Sequence, residues 1–337
     1  MSRLKVGLNG FGRIGRSFAR IAFERDDFDI VLINTRSTEP EMLSYLLSHD
    51  SIYGRFGKKV GFSDNKITVD SKDIRVNTSD TIDGIPWEEE GVDIVVDATG
   101  AFKNSDELKK HLSGTVKKVI LTTVSKNDDM EHVVLGVNEK KIDFKNQAII
   151  SNCSCTTNSV AILYKILDEE FGVKSGFFTS SHSYTQSQSL HDNSAKDFSK
   201  ARAATLNIIP STTGASVGVI RTIPNLKDKI KGLSLRVPIA AVSFSDVTAI
   251  LNKPTTKDEI NKIFKERAEN DLAKILGYSD SYLVSSDLIG TEFSTIFDSN
   301  YTDVIDENYI KITAWYDNEW GYSSRLADLV MLLGQNI

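Results

Sequence analysis

The segment Leu4-Lys-Val-Gly-Leu-Asn-Gly-Phe-Gly-Arg-Ile-Gly15 determines the fold expected for the first half of the chain. Its apolar beginning predicts a short strand, and the hydrophobic periodicity over residues 13–25 predicts the helix that follows. A second apolar run over residues 28–34 predicts another strand, which completes a β-α-β unit. Strands connected in this way lie parallel in a sheet that helices cover on both faces.

The three glycines of this segment have separate steric roles in a dinucleotide-binding turn. Gly10 permits the tight turn, Gly12 lets a pyrophosphate approach the backbone, and Gly15 lets helix and strand pack closely. The N-terminus of the following helix supplies free N–H groups and a positive dipole for a phosphate. The alternative is a plain β-α-β turn with incidental glycines, because the pattern alone is a weak signal.

The end of the second strand departs from the pattern of an NAD-specific enzyme. An acidic residue about 20 positions after the glycines normally binds the ribose 2′-hydroxyl. This sequence has Asn34, Thr35 and Arg36 there. Arg36 could pair with the 2′-phosphate of NADP, or it could be a solvated surface residue, and both interpretations stay open. The cofactor expected is NAD or NADP, with NADP-leaning or dual use suggested by Thr35 and Arg36.

Strands and helices alternate up to about residue 151, after which the pattern changes. The further elements predicted before that point are helices over 39–47 and 105–112, and strands over 92–98, 118–123 and 148–151. The elements predicted after it are a helix over 155–170, β-rich segments over 174–182, 229–237, 240–252 and 308–316, and a helix over 323–333. The expected fold class is α/β, with a Rossmann-type parallel-sheet domain over 1–151 and an α+β domain with a mostly antiparallel sheet over 152–319. We expect the C-terminal helix, about 320–337, to pack back onto the first domain.

The composition excludes several classes of function. A chain of 337 residues exceeds the usual size of a single core, which favours two domains. The formal net charge of −6 argues against a nucleic-acid partner, because such proteins need a basic face. The two cysteines are one residue apart, so neither a structural disulfide nor a zinc site is expected, and no metal is predicted. No apolar run approaches the roughly 20 residues of a membrane span, and the early strand leaves no room for a signal peptide, so we expect a cytoplasmic protein.

A second motif, Ser151-Asn-Cys-Ser-Cys-Thr-Thr-Asn158, lies where a predicted strand ends and a helix begins. A thiol at a helix N-terminus has its thiolate stabilised by the dipole and by free N–H groups, which makes Cys155 a candidate nucleophile. Cys153 is interpreted as a small buried residue. His182 closes an apolar run before a polar segment over 186–204, and paired with such a cysteine it is a candidate base. A lone histidine there would more often be structural, and the sequence does not bring the two side chains together.

Seven segments resemble glyceraldehyde-3-phosphate dehydrogenase, in that family's order and at its spacing over essentially the whole chain. They are Asn9-Gly-Phe-Gly-Arg-Ile-Gly-Arg16, Ser154-Cys-Thr-Thr-Asn158, His182-Ser-Tyr-Thr185, Ala201-Arg-Ala-Ala204, Ile209-Pro-Ser-Thr-Thr-Gly214, Leu235-Arg-Val-Pro238 and Trp315-Tyr-Asp-Asn-Glu-Trp-Gly-Tyr322. The resemblance implies phosphorylating oxidation of glyceraldehyde 3-phosphate to 1,3-bisphosphoglycerate through a cysteine thioester, with hydride transfer to NAD or NADP. It also implies a homotetramer, with the polar segment 186–204 where the subunits meet.

The resemblance further implies a role for each matching residue. Cys155 would be the nucleophile, and His182 would activate it and later act as acid or base. Inorganic phosphate would be bound by Ser154, Thr156, Thr213 and Gly214, and the substrate's phosphate by Thr185 and Arg236, with Lys200 where the family commonly has a phosphate-site arginine. The cofactor site would consist of Gly10, Phe11, Gly12, Arg13, Ile14, Gly15, Asn34, Thr35, Arg36, Thr99, Gly100, Thr122, Asn318 and Tyr322. Asn318 would orient the nicotinamide carboxamide.

Several positions depart from the family's pattern and leave phosphate affinity, substrate preference and cofactor choice open. Ser187 stands where the family commonly has aspartate, Ser159 where it has a second cysteine, and Thr122 where it has serine. The alternatives are erythrose-4-phosphate dehydrogenase, a catalytically weak paralogue with a binding role, and a cysteine hydrolase. A hydrolase would explain Cys155 and His182 but not the glycine turn. The sequence does not give the physiological direction, glycolytic or gluconeogenic.

Overall fold

The structure, a computed structural model, describes residues 3–195 and 197–337, and the chain folds into two compact units. The first contains the described residues up to Val133, with Lys140–Cys153 and Ser323–Ile337, and the second contains Val134–Glu139 and Ser154–Tyr322. The start of the predicted first domain, Met1 and Ser2, and one residue of the polar segment 186–204, Lys196, lie outside the described residues.

The first unit is built on a nine-stranded sheet with helices and a small two-stranded sheet, β3–β4. Its elements are β1 (Lys5–Asn9), α1 (Arg13–Arg25), β2 (Asp29–Thr35), α2 (Pro40–Ser48), β3 (His49–Asp50), β4 (Gly54–Arg55), β5 (Val60–Ser63), β6 (Lys66–Val69), β7 (Lys72–Thr78), β8 (Ile94–Asp97), α3 (Ser105–Leu108), β9 (Lys118–Leu121), β10 (Glu131–His132) and β11 (Ile149–Ser151). The helix predicted over 105–112 is shorter, because a 3₁₀ turn over Lys109–His111 replaces its second half.

The large sheet has the order β10-β11-β9-β8-β1-β2-β7-β6-β5, with β1 near its middle. β1 pairs in parallel with β2 on one side and with β8 on the other. The chain therefore leaves β1 in one direction and later returns to its other side, and ligands of such sheets bind at this switch point, beyond the carboxyl ends of the strands. The predicted Rossmann-type sheet is confirmed, and β5 and β6 add an antiparallel edge to it.

The second unit contains a seven-stranded sheet of order β13-β14-β12-β15-β18-β17-β16. Its elements are α4 (Cys155–Glu170), β12 (Val173–Ser183), β13 (Ile209–Ser211), α5 (Ala215–Thr222), β14 (Ile230–Val237), β15 (Ser243–Leu251), α6 (Lys257–Glu269), β16 (Leu276–Ser279), β17 (Thr295–Ile305), β18 (Tyr309–Tyr316) and α7 (Trp320–Gly334), whose residues from Ser323 onward belong to the first unit. The predicted mostly antiparallel sheet is confirmed, with β12–β14 and β16–β17 as its parallel pairs.

Helix α4 holds the predicted nucleophile in a fixed place. It begins at Cys155 because the side chain of Ser154 accepts a hydrogen bond from the backbone N–H of Thr157 at 3.1 Å, which caps the first turn. Most of the helix is buried, including the whole run over 156–164, so packing fixes its axis on several sides.

None of the helices within the described residues is long and apolar enough to cross a membrane.

Candidate active site

The structure brings the predicted nucleophile and base together within the second unit. Cys155 begins α4, His182 lies near the end of β12, and the Cys155 Sγ atom is 3.4 Å from His182 Nε2. His182 is 5% exposed, and Cys155 is partly buried. A thiol and an imidazole nitrogen at this distance can exchange a proton, which is what an activated cysteine nucleophile needs.

Burial governs the charge state of this pair. It raises the pKa of the Cys155 thiol, while the Arg236 guanidinium and hydrogen bonding to Thr156 act in the opposite direction. It lowers the pKa of His182 to about 3, and the positive charge of Arg236 adds to that shift. Both shifts favour the neutral forms, a thiol beside an imidazole. The helix dipole predicts a stabilised thiolate, but the loss of solvation, which penalises the charged form, outweighs it here.

Arg236 lies beside His182 because β12 and β14 pair in parallel with these two residues opposite each other. The His182 Nδ1 atom is 2.6 Å from Arg236 Nη1 and 2.7 Å from the carbonyl oxygen of Ser183. The two contacts need different tautomers, because a protonated Nδ1 donates to the carbonyl and a bare Nδ1 accepts from the guanidinium. Only the protonated Nδ1 leaves Nε2 able to accept the proton of Cys155.

Tyr316 connects the catalytic pair to a predicted phosphate-binding residue. Its hydroxyl oxygen is 2.9 Å from Thr156 Oγ1 and 2.7 Å from Ser180 Oγ, and its ring meets the His182 ring edge-on with centroids 6.1 Å apart. The side chain is 1% exposed, and burial raises the pKa of the hydroxyl well above its usual range. The buried phenol thus stays neutral and fixes the Thr156 side chain. Sequence reasoning quoted this tyrosine within a motif but gave it no role.

The other residues predicted to bind inorganic phosphate lie at helix starts of the same unit. Thr213 and Gly214 directly precede α5, where Thr213 Oγ1 accepts from the backbone N–H of Ala215 at 3.1 Å. Ser154 caps α4, and its Oγ is 2.8 Å from Thr157 Oγ1. Each hydroxyl therefore already has a local partner that fixes its orientation.

The residues predicted to hold the substrate's phosphate are less uniform. Arg236 stands beside the catalytic histidine, as described above. Thr185 Oγ1 is 2.9 Å from Ser187 Oγ, the residue that replaces an aspartate. Lys200 forms an ion pair with Asp197, 3.6 Å away, and its ammonium has no hydrogen bond or ion pair with Thr185 or Arg236 in the part of the chain that the structure describes.

Two serine hydroxyls orient Asn318, the residue predicted to bind the nicotinamide carboxamide. Ser183 Oγ donates to the amide oxygen of Asn318 at 2.9 Å, and Ser243 Oγ donates to the same oxygen at 3.2 Å. Both donors fix the oxygen, so the amide group of Asn318 presents its Nδ2 atom for donation. Sequence reasoning quoted Ser183 within a motif without giving it a role, and it missed Ser243. Nothing in their local pattern points to a residue more than 70 positions away.

The glycine turn of the first unit fits a dinucleotide. Gly10 has a φ of +97°, and a Cβ there would lie 2.9 Å from the carbonyl carbon of Ala98. A Cβ at Gly15 would lie 2.3 Å from the Gly10 oxygen, so helix and strand approach as closely as predicted. No described atom lies within 4 Å of a Cβ built at Gly12, and no described side chain caps α1. The turn therefore has, at Gly12, the space that a pyrophosphate needs at a helix N-terminus.

The predicted ribose site is formed by the end of β2. Thr35 is 6% exposed, and its hydroxyl is used locally, donating to the Thr38 oxygen at 3.2 Å and accepting from the Thr38 N–H at 3.3 Å. The amide of Asn34 bonds Asn9, Asn77 and Ser79, so it supports the turn from inside. Arg36 is exposed and has no hydrogen bond or ion pair within residues 3–195 and 197–337.

The other predicted cofactor residues lie around these two turns or in the second unit. Arg13 forms an ion pair with Asp50, and its guanidinium lies 5.5 Å from the centroid of the Tyr53 ring. Phe11 is buried and Ile14 partly buried beside the glycine turn. Tyr322 is buried at the start of α7, in the second unit.

Thr99 and Thr122 are organised by one residue that sequence reasoning did not identify, Asp97. Its Oδ1 accepts from the Thr99 hydroxyl at 2.7 Å and from the Thr99 N–H at 3.2 Å. Its backbone oxygen accepts from the Thr122 hydroxyl at 2.9 Å. Gly100 follows with a φ of +66°. The available signal was an acidic residue that ends the otherwise apolar strand β8.

Within the described residues, no group of three or more His, Cys, Asp or Glu side chains could hold a metal ion. The groups placed by the structure are a thiol, an imidazole, hydroxyl and guanidinium donors, and a glycine turn.

Comparison with known proteins agrees with this arrangement. Residues 4–105 match the family model for the NAD binding domain of glyceraldehyde 3-phosphate dehydrogenase, and residues 154–318 match the model for its C-terminal domain. Proteins named glyceraldehyde-3-phosphate dehydrogenase from Streptomyces coelicolor and Mycobacterium avium are 43% and 45% identical over 99% of both chains. The protein named glyceraldehyde-3-phosphate dehydrogenase 2 of Bacillus subtilis is 43% identical over 97% of this chain and 96% of its own. The chain belongs to the glyceraldehyde 3-phosphate dehydrogenase family.

Proposed function

We propose that this oxidoreductase converts glyceraldehyde 3-phosphate and inorganic phosphate to 1,3-bisphosphoglycerate with NAD as hydride acceptor. The observation that carries the proposal is the 3.4 Å contact between Cys155 Sγ and His182 Nε2, with Arg236 beside the same imidazole. The membership of the family, over nearly the whole chain, supports the same substrate. Neither family model points to erythrose 4-phosphate or to a non-catalytic role.

In the proposed first step, His182 Nε2 takes the proton of Cys155 as the sulfur adds to the substrate aldehyde. The protonated His182 returns this proton to the developing alkoxide, which gives a thiohemiacetal. His182, neutral again, then removes the hydroxyl proton as the carbon is oxidised to a thioester. The nicotinamide of the bound cofactor supplies the hydride acceptor for that oxidation. Burial of both groups favours this order, because it penalises a separate thiolate and imidazolium before the sulfur forms its new bond.

Arg236 links substrate binding to this proton transfer. A substrate phosphate that accepts bonds from the guanidinium draws it away from His182 Nδ1. The carbonyl of Ser183, 2.7 Å from Nδ1, then remains as the partner of a protonated Nδ1. That tautomer has its Nε2 lone pair directed at Cys155, so the base becomes competent when the phosphorylated substrate is in place.

The second half of the reaction uses the hydroxyl groups around Cys155. An oxygen of inorganic phosphate attacks the thioester carbon, the Cys155 thiolate leaves, and the acyl phosphate is released. Ser154, Thr156 and Thr213, with the backbone at Gly214, would bind the attacking phosphate. Hydroxyl and backbone donors hold an anion less firmly than a guanidinium does, which suits a reactant that must move.

We assign the dinucleotide to the first unit and the covalent chemistry to the second. NADP would be used alongside NAD, because Thr35 brings no carboxylate to repel a 2′-phosphate and the exposed Arg36 could pair with one. Asn318 would donate its Nδ2 to the carboxamide of the nicotinamide.

A homotetramer is proposed from the surface of the second unit as well as from the family. The segment around 186–208 exposes large apolar side chains, with Phe198 91% exposed, Leu206 77% and Leu190 70%. Apolar surface of this kind marks protein contacts. Light scattering should give four times the chain mass, and a concentration-independent mass of one chain would contradict the assignment.

The test of the proposed function is a turnover assay of the purified protein with NAD, with and without inorganic phosphate. Product formation should require phosphate, and Cys155→Ser should remove nearly all turnover, because a hydroxyl is a far weaker nucleophile than a thiol. Cys153→Ser is the matched control, since Cys153 is fully buried and has no assigned role. A Cys155→Ser protein that keeps a tenth of the wild-type rate would refute the role of Cys155.

A further inference from the structure

Asp97 is a fully buried carboxylate on which several hydrogen bonds of the first unit converge. It is 0% exposed and ends β8 at the switch point of the sheet. One oxygen, Oδ1, accepts from the hydroxyl and N–H of Thr99. The other, Oδ2, accepts from Asn9 Nδ2 at 2.8 Å and lies 3.2 Å from His111 Nε2. A buried carboxylate is tolerated when donors satisfy both of its oxygens, and this one has donors on each side.

His111 has one possible tautomer in this setting. Its Nδ1 lies 3.1 Å from Nε1 of Trp87, and an indole nitrogen can only donate. Nδ1 must therefore accept, so the ring proton is on Nε2 and is donated to Asp97. Trp87 is 1% exposed and His111 is 0% exposed, so no solvent competes for these bonds. The direction of both hydrogen bonds is fixed by chemistry, from Trp87 to His111 to Asp97.

A second chain of hydrogen bonds reaches Asp97 from the other side. Asn77 Nδ2 donates to Asn34 Oδ1, and Asn34 Nδ2 donates to Asn9 Oδ1, each at 2.8 Å. These asparagines lie opposite one another in the parallel register of β7, β2 and β1, and Asn9 lies opposite Asp97 of β8. The carboxyl ends of four strands are thus tied by side chains whose donors all point towards one carboxylate.

We infer that Asp97 and His111 are positioning residues for the dinucleotide: they hold its binding turns in shape without touching it. This inference rests on the proposed assignment of the cofactor to the first unit. Asp97 fixes Thr99 through its side chain and Thr122 through its backbone oxygen. Asp97 also fixes the side chain of Asn9, which directly precedes the glycine turn.

The cost of altering Asp97 comes from the fixed directions of the bonds. In Asp97→Asn, the new Nδ2 faces two donors, Asn9 Nδ2 and His111 Nε2, if Oδ1 keeps its bonds from Thr99. His111 cannot change tautomer without losing its bond from Trp87. Asn9 can adapt only if Asn34 and Asn77 rotate with it, and Asn34 would then lose its bond to the Ser79 carbonyl at 3.1 Å. The distortion therefore spreads to the glycine turn, which follows Asn9, and to the end of β2, which contains Asn34.

The experiment is calorimetric titration of the full-length protein with NAD, comparing dissociation constants. Asp97→Asn should weaken NAD by about 10- to 100-fold, which corresponds to losing hydrogen bonds to a charged group. His111→Leu should weaken it by about tenfold, whereas His111→Gln should recover most of that loss, because a glutamine amide can accept from Trp87 and donate to Asp97. Asn77→Ala, at the half-buried end of the chain, is a milder variant with an expected loss of about twofold to fivefold.

The matched control is Asp298→Asn in the second unit. Asp298 is also 0% exposed and also accepts from an indole, Trp315 Nε1, at 2.9 Å. It should lower the Tm as Asp97→Asn does but leave the NAD dissociation constant within about twofold of wild type. Alkylation of Cys155 in the cofactor-free protein should be unchanged in the Asp97 and His111 variants, since the second unit is intact.

A further readout needs no cofactor. The chain has three tryptophans, so the indole ¹⁵N–¹H resonance of Trp87 can be assigned, and it should move in His111→Leu and return towards its wild-type position in His111→Gln. Unchanged NAD affinity in Asp97→Asn and His111→Leu would overturn the inference, as would equal weakening in Asp298→Asn. A wild-type protein that binds no NAD would instead refute the proposed function.

Discussion

The two units treat buried polar groups in opposite ways. In the first unit, the chain of hydrogen bonds from Trp87 through His111 to Asp97 has one possible direction, because the indole can only donate. In the second unit, His182 Nδ1 has two partners, Arg236 and the Ser183 carbonyl, that require different tautomers. The hydrogen bonds around Asp97 hold the turns of the first unit in one conformation. His182 can adopt either tautomer, depending on which of the two partners binds Nδ1.

The difference follows from what each site has to do. A cofactor turn works by being preorganised, so unpaired or exchangeable groups there would only weaken binding. A catalytic histidine must gain and lose a proton at one ring nitrogen during one turnover, so its hydrogen bonds have to leave that nitrogen available. In His182 this is Nε2, and it is available only while Nδ1 donates to the Ser183 carbonyl. A buried polar group whose hydrogen-bond partners can be exchanged is therefore suited to catalysis, and one whose partners cannot be exchanged is suited to positioning.

The largest effect is expected from replacing His182, the histidine whose hydrogen-bond partners can be exchanged. His182→Asn removes the proton acceptor and should slow hydride transfer by about 10²- to 10⁴-fold, the usual contribution of a positioned acid–base group. It should also slow alkylation of Cys155 near neutral pH. Single-turnover kinetics and the pH profile of iodoacetamide alkylation measure the two effects. An alkylation profile identical to that of wild type would mean that the imidazole does not act on the thiol.

Arg236→Gln sharpens the comparison by removing one of the two competing partners. Loss of a charged hydrogen bond to the substrate phosphate should raise the KM for glyceraldehyde 3-phosphate by about 10- to 150-fold. In the free protein, removing the positive charge should raise the pKa of the Cys155 thiol further, so alkylation at a given pH becomes slower. An unchanged KM would contradict the assignment of Arg236, and Arg202→Gln, whose side chain pairs with Asp192 on the surface, is the control.

Thr35→Asp tests the predicted ribose site of the first unit, at the end of β2. A carboxylate there should bind the 2′-hydroxyl and repel a 2′-phosphate, which should move kcat/KM from NADP towards NAD by about tenfold or more. The measurement is kcat/KM for both cofactors in both proteins. If wild type already prefers NAD by more than about a thousandfold and the substitution leaves that ratio unmoved, the interpretation of position 35 is wrong.

The smallest effect is expected at Lys200, which the family resemblance places at a phosphate site. In the structure its ammonium pairs with Asp197 on the surface, and exposed pairs of this kind contribute about 0–1 kcal/mol. Lys200→Ala should therefore change the KM for phosphate and for glyceraldehyde 3-phosphate by less than about fivefold. A tenfold increase in either constant would show that Lys200 reaches a phosphate.

Local sequence signals predicted the helices and strands whose boundaries are marked by neighbouring residues. The helix Cys155–Glu170 agrees with the helix predicted over about 155–170, because its apolar pattern is continuous. The strand Thr295–Ile305 was missed, since the polar residues Asp298, Ser299 and Asn300 interrupt its alternation at a register shift. The helix Lys257–Glu269 was not predicted either, and its short buried side has only Ile260 and Phe264.

Local sequence patterns establish the class of chemistry and the secondary-structure elements that such patterns encode. The glycine turn after a strand, the capped cysteine and the family's motifs are each read from neighbouring residues. Which of these groups meet, and how far their pKa values shift, follows from the tertiary fold. The Cys155–His182 contact joins residues 27 positions apart, the Asn9–Asp97 bond joins residues 88 apart, and Ser183 reaches Asn318 over 135. Strand register sets those pairings, and burial sets the pKa of Cys155 and His182, because desolvation depends on the packing of the whole unit.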